Sequence, residues 1–319
     1  MKHTPTITVL IVLIFFLAQM MGLVALSFNT VVSQAPGGEV VVQHLDTAIG
    51  ERPQMEGSFT FLYMIVTILI GTGLILLLIR MRKIRVWKIL YFFAVWMTCT
   101  ITLGVFIDPL MAMALCFGLA LLKLYKPNPW THNLTEILIY AGIAIIFVPL
   151  LDVVWVTVLL LAISVYDVIA VWKSKHMITM AEFQTKSHAF AGIVIGYKVK
   201  APVKPEKAEA KGKVRTKVAA KTSLKLPEET RTKNAILGGG DIAFPLIFSG
   251  VVMDSLIRTA GMGKPMAFLA VMVIPVVVTI ALFILLAKAK KDRYYPAMPF
   301  LTAGCLAGYG LMLAMNLLF

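Results

Sequence analysis

Charge is scarce in this chain. Of its 319 residues only 14% are Asp, Glu, Lys or Arg, against about 25% in ordinary soluble domains, and so thin a polar coat excludes a water-soluble globule. Cysteine is scarcer still. Cys99, Cys116 and Cys305 each lie inside an apolar run, which excludes a disulfide framework and a CxxC metal pattern and reads as packing. Acid is the rarer sign, 16 Asp and Glu against 30 Lys and Arg, for a net charge of +14. The candidate ligands His132 and Glu136 stand four apart at a helix start, but a third partner is missing and they read as a surface pair. No metal and no cofactor is expected, and no internal repeat relates the two halves.

Hydrocarbon is what the chain has in quantity. Hydrophobic residues make up 59% of it and the mean hydropathy is +0.87. Nine apolar runs meet the length needed to cross a bilayer, at residues 6–28, 58–79, 86–107, 109–125, 134–151, 153–172, 235–257, 265–287 and 297–318. Backbone amides find no water in hydrocarbon, and continuous apolar stretches are not the short alternating strands of a barrel, so the runs are helices. The fourth is short, and the fifth carries Glu136 near its start. The first exceeds a signal-peptide core and lacks a small-x-small cleavage site, so it reads as a retained anchor.

The connections sort by charge. Arg80, Arg82, Lys83, Arg85 and Lys88 follow the second run, Lys123 and Lys126 the fourth, and Lys288, Lys290, Lys291 and Arg293 the eighth. Basic connections face the cytoplasm. Glu39, Asp46, Glu51 and Glu56 between the first two runs, with Asp108 and Asp152 at later turns, mark the other side. The expected topology is nine crossings, N-terminus cytoplasmic and C-terminus outside. From Lys173 to Asn234 the chain carries 15 basic and 5 acidic residues, a net +10 in one cytoplasmic loop. Its Lys-, Ala- and Pro-rich middle, Lys204 to Lys225, reads as flexible. His176 to Lys186 reads as an interfacial amphipathic turn and Phe190 to Val199 as a short strand. Three parts result: residues 1–172 with six helices, the basic loop 173–234, and residues 235–319 with three helices. Aromatics avoid the densest charge, so anionic lipid rather than nucleic acid is the expected partner of the loop.

Two acids stand apart. Asp167 and Asp241 lie well inside their runs, where a charge costs from about 2.5 kcal/mol upward. Asp167 precedes Lys173 by 6 residues and Asp241 follows Lys233 by 8, which sets both about 9–12 Å below one membrane face at 1.5 Å per residue. Two carboxyls in one low-dielectric site share a proton, giving one general base and one general acid. A water between them can then attack an amide carbonyl. The same pair could instead bind Na+ or relay protons in a transporter, and spacing alone leaves both readings open. Gly238, Gly239 and Gly240 precede Asp241 and either let another backbone approach, so that an extended substrate could lie there, or serve tight helix packing. Pro296, Ala297, Met298 and Pro299 open the last run at comparable depth, and their irregular entry is expected to leave carbonyls for a ligand. Asp254 and Arg258, four apart, read as an ion pair or cap. Asn133-Leu134-Thr135 fits a glycosylation sequon but falls on the cytoplasmic side.

Tyr166-Asp167, Gly238-Gly239-Gly240-Asp241 and Pro296-Ala297-Met298-Pro299, in this order on the sixth, seventh and ninth runs, resemble the YD, GxGD and PAL motifs of the presenilin and signal peptide peptidase family of intramembrane aspartyl proteases. The compact chain looks like a microbial, archaeal homologue. The resemblance covers the whole topology and implies an aspartic endopeptidase with Asp167 and Asp241 as catalytic dyad. It assigns Tyr166, Gly238 to Gly240 and Pro296 to Pro299 to shaping the site and holding substrate. It implies transmembrane or signal-peptide substrates, a multi-pass protein of the cell membrane with its site toward the cytoplasm, and no obligate accessory subunit; oligomeric state is left open. Two positions depart from the family. Met298 replaces Leu with little change of volume, and Gly239 at the variable position is expected to loosen the helix start.

Overall fold

The computed structural model of the chain describes residues 5–34, 40–51, 57–81, 83–174, 176–187, 189–200, 230–289 and 295–318. Helix α1 (Pro5–Asn29) runs into a hairpin of β1 (Thr30–Gln34) and β2 (Val40–His44). Then follow α2 (Gly57–Arg80), α3 (Ile84–Leu103), α4 (Pro109–Tyr125), α5 (Pro129–Phe147) and α6 (Val153–Val168). The connection after α6 carries α7 (His176–Lys186), β3 (Gly192–Lys200) and β4 (Thr230–Gly238). The chain returns through α8 (Gly240–Thr259), α9 (Lys264–Val271), α10 (Val273–Lys288) and α11 (Met298–Leu318). Among the described residues, eight stretches are long and apolar enough to cross a membrane, α9 and α10 together forming one of them; α4, at 17 residues, is a further and shorter apolar helix.

Local chemistry explains the boundaries. Two of the acids that mark the acidic side are N-caps: Asp108 accepts from the Leu110 and Met111 amides at 2.9 and 3.3 Å, and Asp152 from Trp155 at 2.8 Å. Asn128 does the same for α5, with Pro129 at the first helical position. Pro275 removes one helical amide, and the break between α9 and α10 at Met272 falls just before it. Past Asp167, α6 widens into a π turn over Ile169–Lys173, closed by the Ser174 amide on the Ile169 carbonyl at 3.0 Å. Such turns recur at functional sites.

Helix α8 is the centre of the bundle. Ile242, Leu246, Phe248, Val251, Val252 and Met253 are all buried, and α1, α5, α6 and α11 pack around it. Peripheral α2 instead turns Phe59, Leu62, Leu69 and Ile70 outward, as lipid-facing surface does.

Several expectations change here. The connection after the first helix folds back as a hairpin, Thr30 opposite His44. The seventh run is helical only from Gly240, because residues 235–238 extend as β4 against β3. The strand expected at Phe190 to Val199 forms at Gly192–Lys200, and α7 forms at His176–Lys186. Asp254 pairs with His44 Nε2 at 2.6 Å rather than with Arg258, since β2 packs on α8. Lys123 belongs to no solvated loop: it is 2% exposed and its Nζ lies 2.5 Å from Glu136 Oε1. Glu136 is likewise buried, because α4 and α5 close over it; His132 does pair with it, Nε2 4.0 Å from Oε1, but in the interior and not at the surface. The Lys204 to Lys225 segment lies outside the described residues, as do Arg82, Glu39, Glu56 and Lys290 to Arg293.

Candidate active site

Asp167, on the last turn of α6, is buried, 3% exposed. Its Oδ2 accepts from the Met298 amide at 3.1 Å, and the Ala297 amide donates to the same carboxyl. The Pro296 to Pro299 entry therefore presents amides to an acid. Of the carbonyls expected to stay open in this entry, that of Ala297 is taken by the Phe300 and Leu301 amides, both at 3.1 Å, because α11 begins at once. Pro296 and Met298 are buried, Ala297 and Pro299 half-buried. Two amides on one carboxylate hold it in a single orientation.

Asp241 sits in the first turn of α8, half-buried. The Gly238 backbone hydrogen-bonds its carboxyl, and Asp167 and Asp241 are close enough to interact electrostatically. A negative charge is favoured at a helix N-terminus. Pro245 deprives the Asp241 carbonyl of its helical amide, so this turn is held from outside as well. Gln19 of α1 does so, donating to the Ile242 carbonyl at 2.9 Å.

The three glycines have distinct surroundings. A Cβ on Gly239 would stand 2.9 Å from the Tyr140 hydroxyl and 3.3 Å from the Ala191 carbonyl, the acceptor of Gly239's own amide. Gly239 is thus a site of close packing, not a loosened helix start. A Cβ on Gly238 would be 3.2 Å from Asp241 Oδ2, and one on Gly240 3.3 Å from the Phe244 ring. The Tyr166 hydroxyl lies 3.2 Å from Thr72 Oγ1 and ties α6 to α2.

The outer edge of the β3 segment is sealed. Trp87 Nε1 donates to the Ala189 carbonyl at 3.1 Å, Tyr91 to Phe190 at 2.8 Å and His132 Nε2 to Gly192 at 2.8 Å. Asn133 exchanges two 3.1 Å bonds with the Val194 backbone, the use to which the sequon asparagine is put. Gly192 and Val194 therefore point away from β4, and antiparallel alternation makes their partners Gly238 and Ile236 point away from β3. Ile236 is 41% exposed. The edge of β3 away from β4 is thus covered at Gly192 and Val194, while β4 turns the backbone of Ile236 outward.

Several site residues gave no motif. Ser164 Oγ and Thr302 Oγ1, 2.7 Å apart and buried, lock α6 to α11 one turn from Asp167 and from Met298. Their offsets of three and four residues from motif positions put them on the motif faces. Gln19 and Tyr140 lie far from any motif in sequence and had no comparable signal. Among the described residues no group of three or more His, Cys, Asp or Glu could hold a metal.

A family model described as signal-peptide peptidase, presenilin aspartyl protease matches residues 12–316. The chain belongs to this family. It is thereby an aspartic endopeptidase of the intramembrane type, and its helices make it a multi-pass membrane protein. Two solved structures of a presenilin family intramembrane aspartate protease share its fold. One, in space group C222, matches at 18% identity and TM-score 0.56 over 94% of both chains. The other, in P2, matches at 18% identity and TM-score 0.53 over 96% of both. A search of the curated proteins finds no match for the chain.

Proposed function

We propose that this protease hydrolyses peptide bonds in transmembrane segments of other proteins, signal peptides included, with Asp167 and Asp241 as its catalytic dyad. The observation that carries the reading is the meeting of these two acids, from helices more than seventy residues apart, within electrostatic reach of each other. One carboxylate takes a proton from water as that water attacks the scissile carbonyl. The protonated partner polarises the carbonyl oxygen and then gives its proton to the leaving amine. The Ala297 and Met298 amides hold Asp167 and the Gly238 backbone holds Asp241, so the pair is arranged before substrate arrives.

A substrate helix hides its carbonyls in its own hydrogen bonds and must unwind before attack. The exposed edge of β4 offers the replacement partners: Ile236 presents an amide and a carbonyl five residues before Asp241, and an extended segment can add there as a strand. Tyr166, Gly238 to Gly240 and Pro296 to Pro299 shape this space.

The basic connections support nine crossings with a cytoplasmic N-terminus, an outer C-terminus, and the site toward the cytoplasmic face of the cell membrane. The three-part division into residues 1–172, 173–234 and 235–319 follows the same charges. Anionic lipid is the proposed partner of the basic loop, and the chain is proposed to act without accessory subunits.

The test is cleavage of a transmembrane reporter peptide by the detergent-purified protein. Asp167→Asn and Asp241→Asn should each lower turnover by about 10²–10⁴-fold or more, the usual worth of a positioned acid or base, while each variant still folds. Cleavage by both variants at the wild-type rate would remove the dyad.

A further inference from the structure

Lys123 closes α4 and Glu136 lies two turns into α5, with 2% and 0% of their surface exposed. Beside the 2.5 Å ion pair, Lys123 Nζ stands 5.6 Å from the centre of the Tyr91 ring. The Tyr140 hydroxyl donates to Glu136 Oε2, and the Tyr91 hydroxyl is 3.3 Å from Oε1. The four residues come from α3, α4 and α5, none of which bears a catalytic acid. Stability does not require such a cluster, because well-packed apolar residues of similar volume commonly replace a buried ion pair without loss.

The cluster grips the backbone of the active-site hairpin at two points. Tyr91 donates to the Phe190 carbonyl, two residues before β3. Tyr140 sets its hydroxyl oxygen 2.9 Å from where a Cβ of Gly239 would stand, between β4 and Asp241. The Tyr140 side chain is also within electrostatic reach of Asp241. A phenol has one hydrogen to give. Given to Glu136, it fixes the ring that bears on Gly239, and Lys123 in turn fixes Glu136.

We propose that Glu136, held by Lys123 and acting through Tyr140, is a positioning residue that sets the Gly239 backbone and thereby the approach of Asp241 to Asp167. This rests on the dyad reading above. Among the described residues the cluster's hydrogen bonds go to one another and to the Phe190 carbonyl, not to the backbone that holds the acids or to Ile236, so its effect falls on turnover rather than on substrate affinity.

The experiment compares kcat and KM for reporter cleavage, with thermal unfolding in detergent, across four variants and wild type. Tyr140→Phe removes one oxygen and should fold. Lys123→Met/Glu136→Leu removes the charges and the acceptor; Lys123→Met/Glu136→Gln removes the charges but keeps an acceptor for Tyr140. Misplacement of reacting groups by a fraction of an ångström to one ångström costs up to about 100-fold. We therefore expect kcat to fall about 10- to 100-fold in Tyr140→Phe and in the Leu double variant, with KM within about twofold, and the Gln double variant to regain most of the loss. Wild-type kcat in a folded Tyr140→Phe overturns the proposal, as does a change confined to KM. A Gln double variant as slow as the Leu one overturns it too, because the acceptor is then not what matters. Asp241→Asn runs alongside as the fourth variant: if it cleaves normally the dyad reading fails, a result separate from any of these.

Discussion

At the scale of single residues, the site is built from backbone as much as from side chains. Asp167 is held by two amides of the last helix's entry, and Asp241 by the glycine segment that precedes it. The two acids were legible in the sequence because charge inside an apolar run is costly, and little else in the chain violates that rule. Glu136 violates it too. It passed as a surface residue because its partner Lys123 lies on another helix, and no spacing rule connects residues across a helix pair. Gly239 shows the same limit. Its neighbours in sequence suggest a weak helix start, whereas its neighbour in space is the Tyr140 hydroxyl. Gly239→Ala should therefore cost about 1–3 kcal/mol of stability, the usual price of overpacking, and lower turnover with it. Combining it with Tyr140→Phe, which removes the atom the new methyl meets, should recover part of the stability. Thermal unfolding of the single and double variants measures this, and strictly additive losses would show that the methyl meets something else.

Among the elements, the β3–β4 hairpin carries the strand-addition proposal. Four side chains from α3 and α5 occupy the far edge of β3 and its approach, leaving β4 as the edge open to a partner. Period-two patterning at Phe190 to Val199 announced β3, but β4 reads as the start of an apolar helix, because Ala235, Ile236 and Leu237 are as suitable for one as for the other. Pairing with β3 settles it. Ile236→Pro removes an outward amide without breaking a bond to β3, and proline is tolerated at a sheet edge. Cleavage efficiency should drop about tenfold or more through KM, since a lost strand bond weakens substrate at both ground and transition state. Leu237→Pro, whose amide faces β3, should instead destabilise the hairpin. Equal kinetics for Ile236→Pro and wild type would end the strand-addition proposal.

For the whole molecule, the long basic connection is an insertion in a hairpin. Lys200 stands opposite Thr230 in register, about 5 Å away as antiparallel partners are. Replacing residues 200–230 by Asn-Gly, which joins the hydrogen-bonded partners Val199 and Arg231, should leave folding and reporter cleavage within about twofold of wild type, since two residues suffice to turn a hairpin; loss of activity in a folded variant would give the segment a catalytic role. What the sequence determined by itself is the solvent: long apolar runs require a bilayer and their helices follow from the absence of water there, while two acids at one depth are the basis of the proposed dyad. The three short motifs, in order on separate helices, carried the family. Tertiary structure alone decided which strand edge is covered, that the Pro296 to Pro299 entry offers amides to Asp167, and that Lys123 and Glu136 meet beside Gly239. These depend on contacts between segments distant along the chain, and periodicity, a property of neighbours in sequence, carries no information about them.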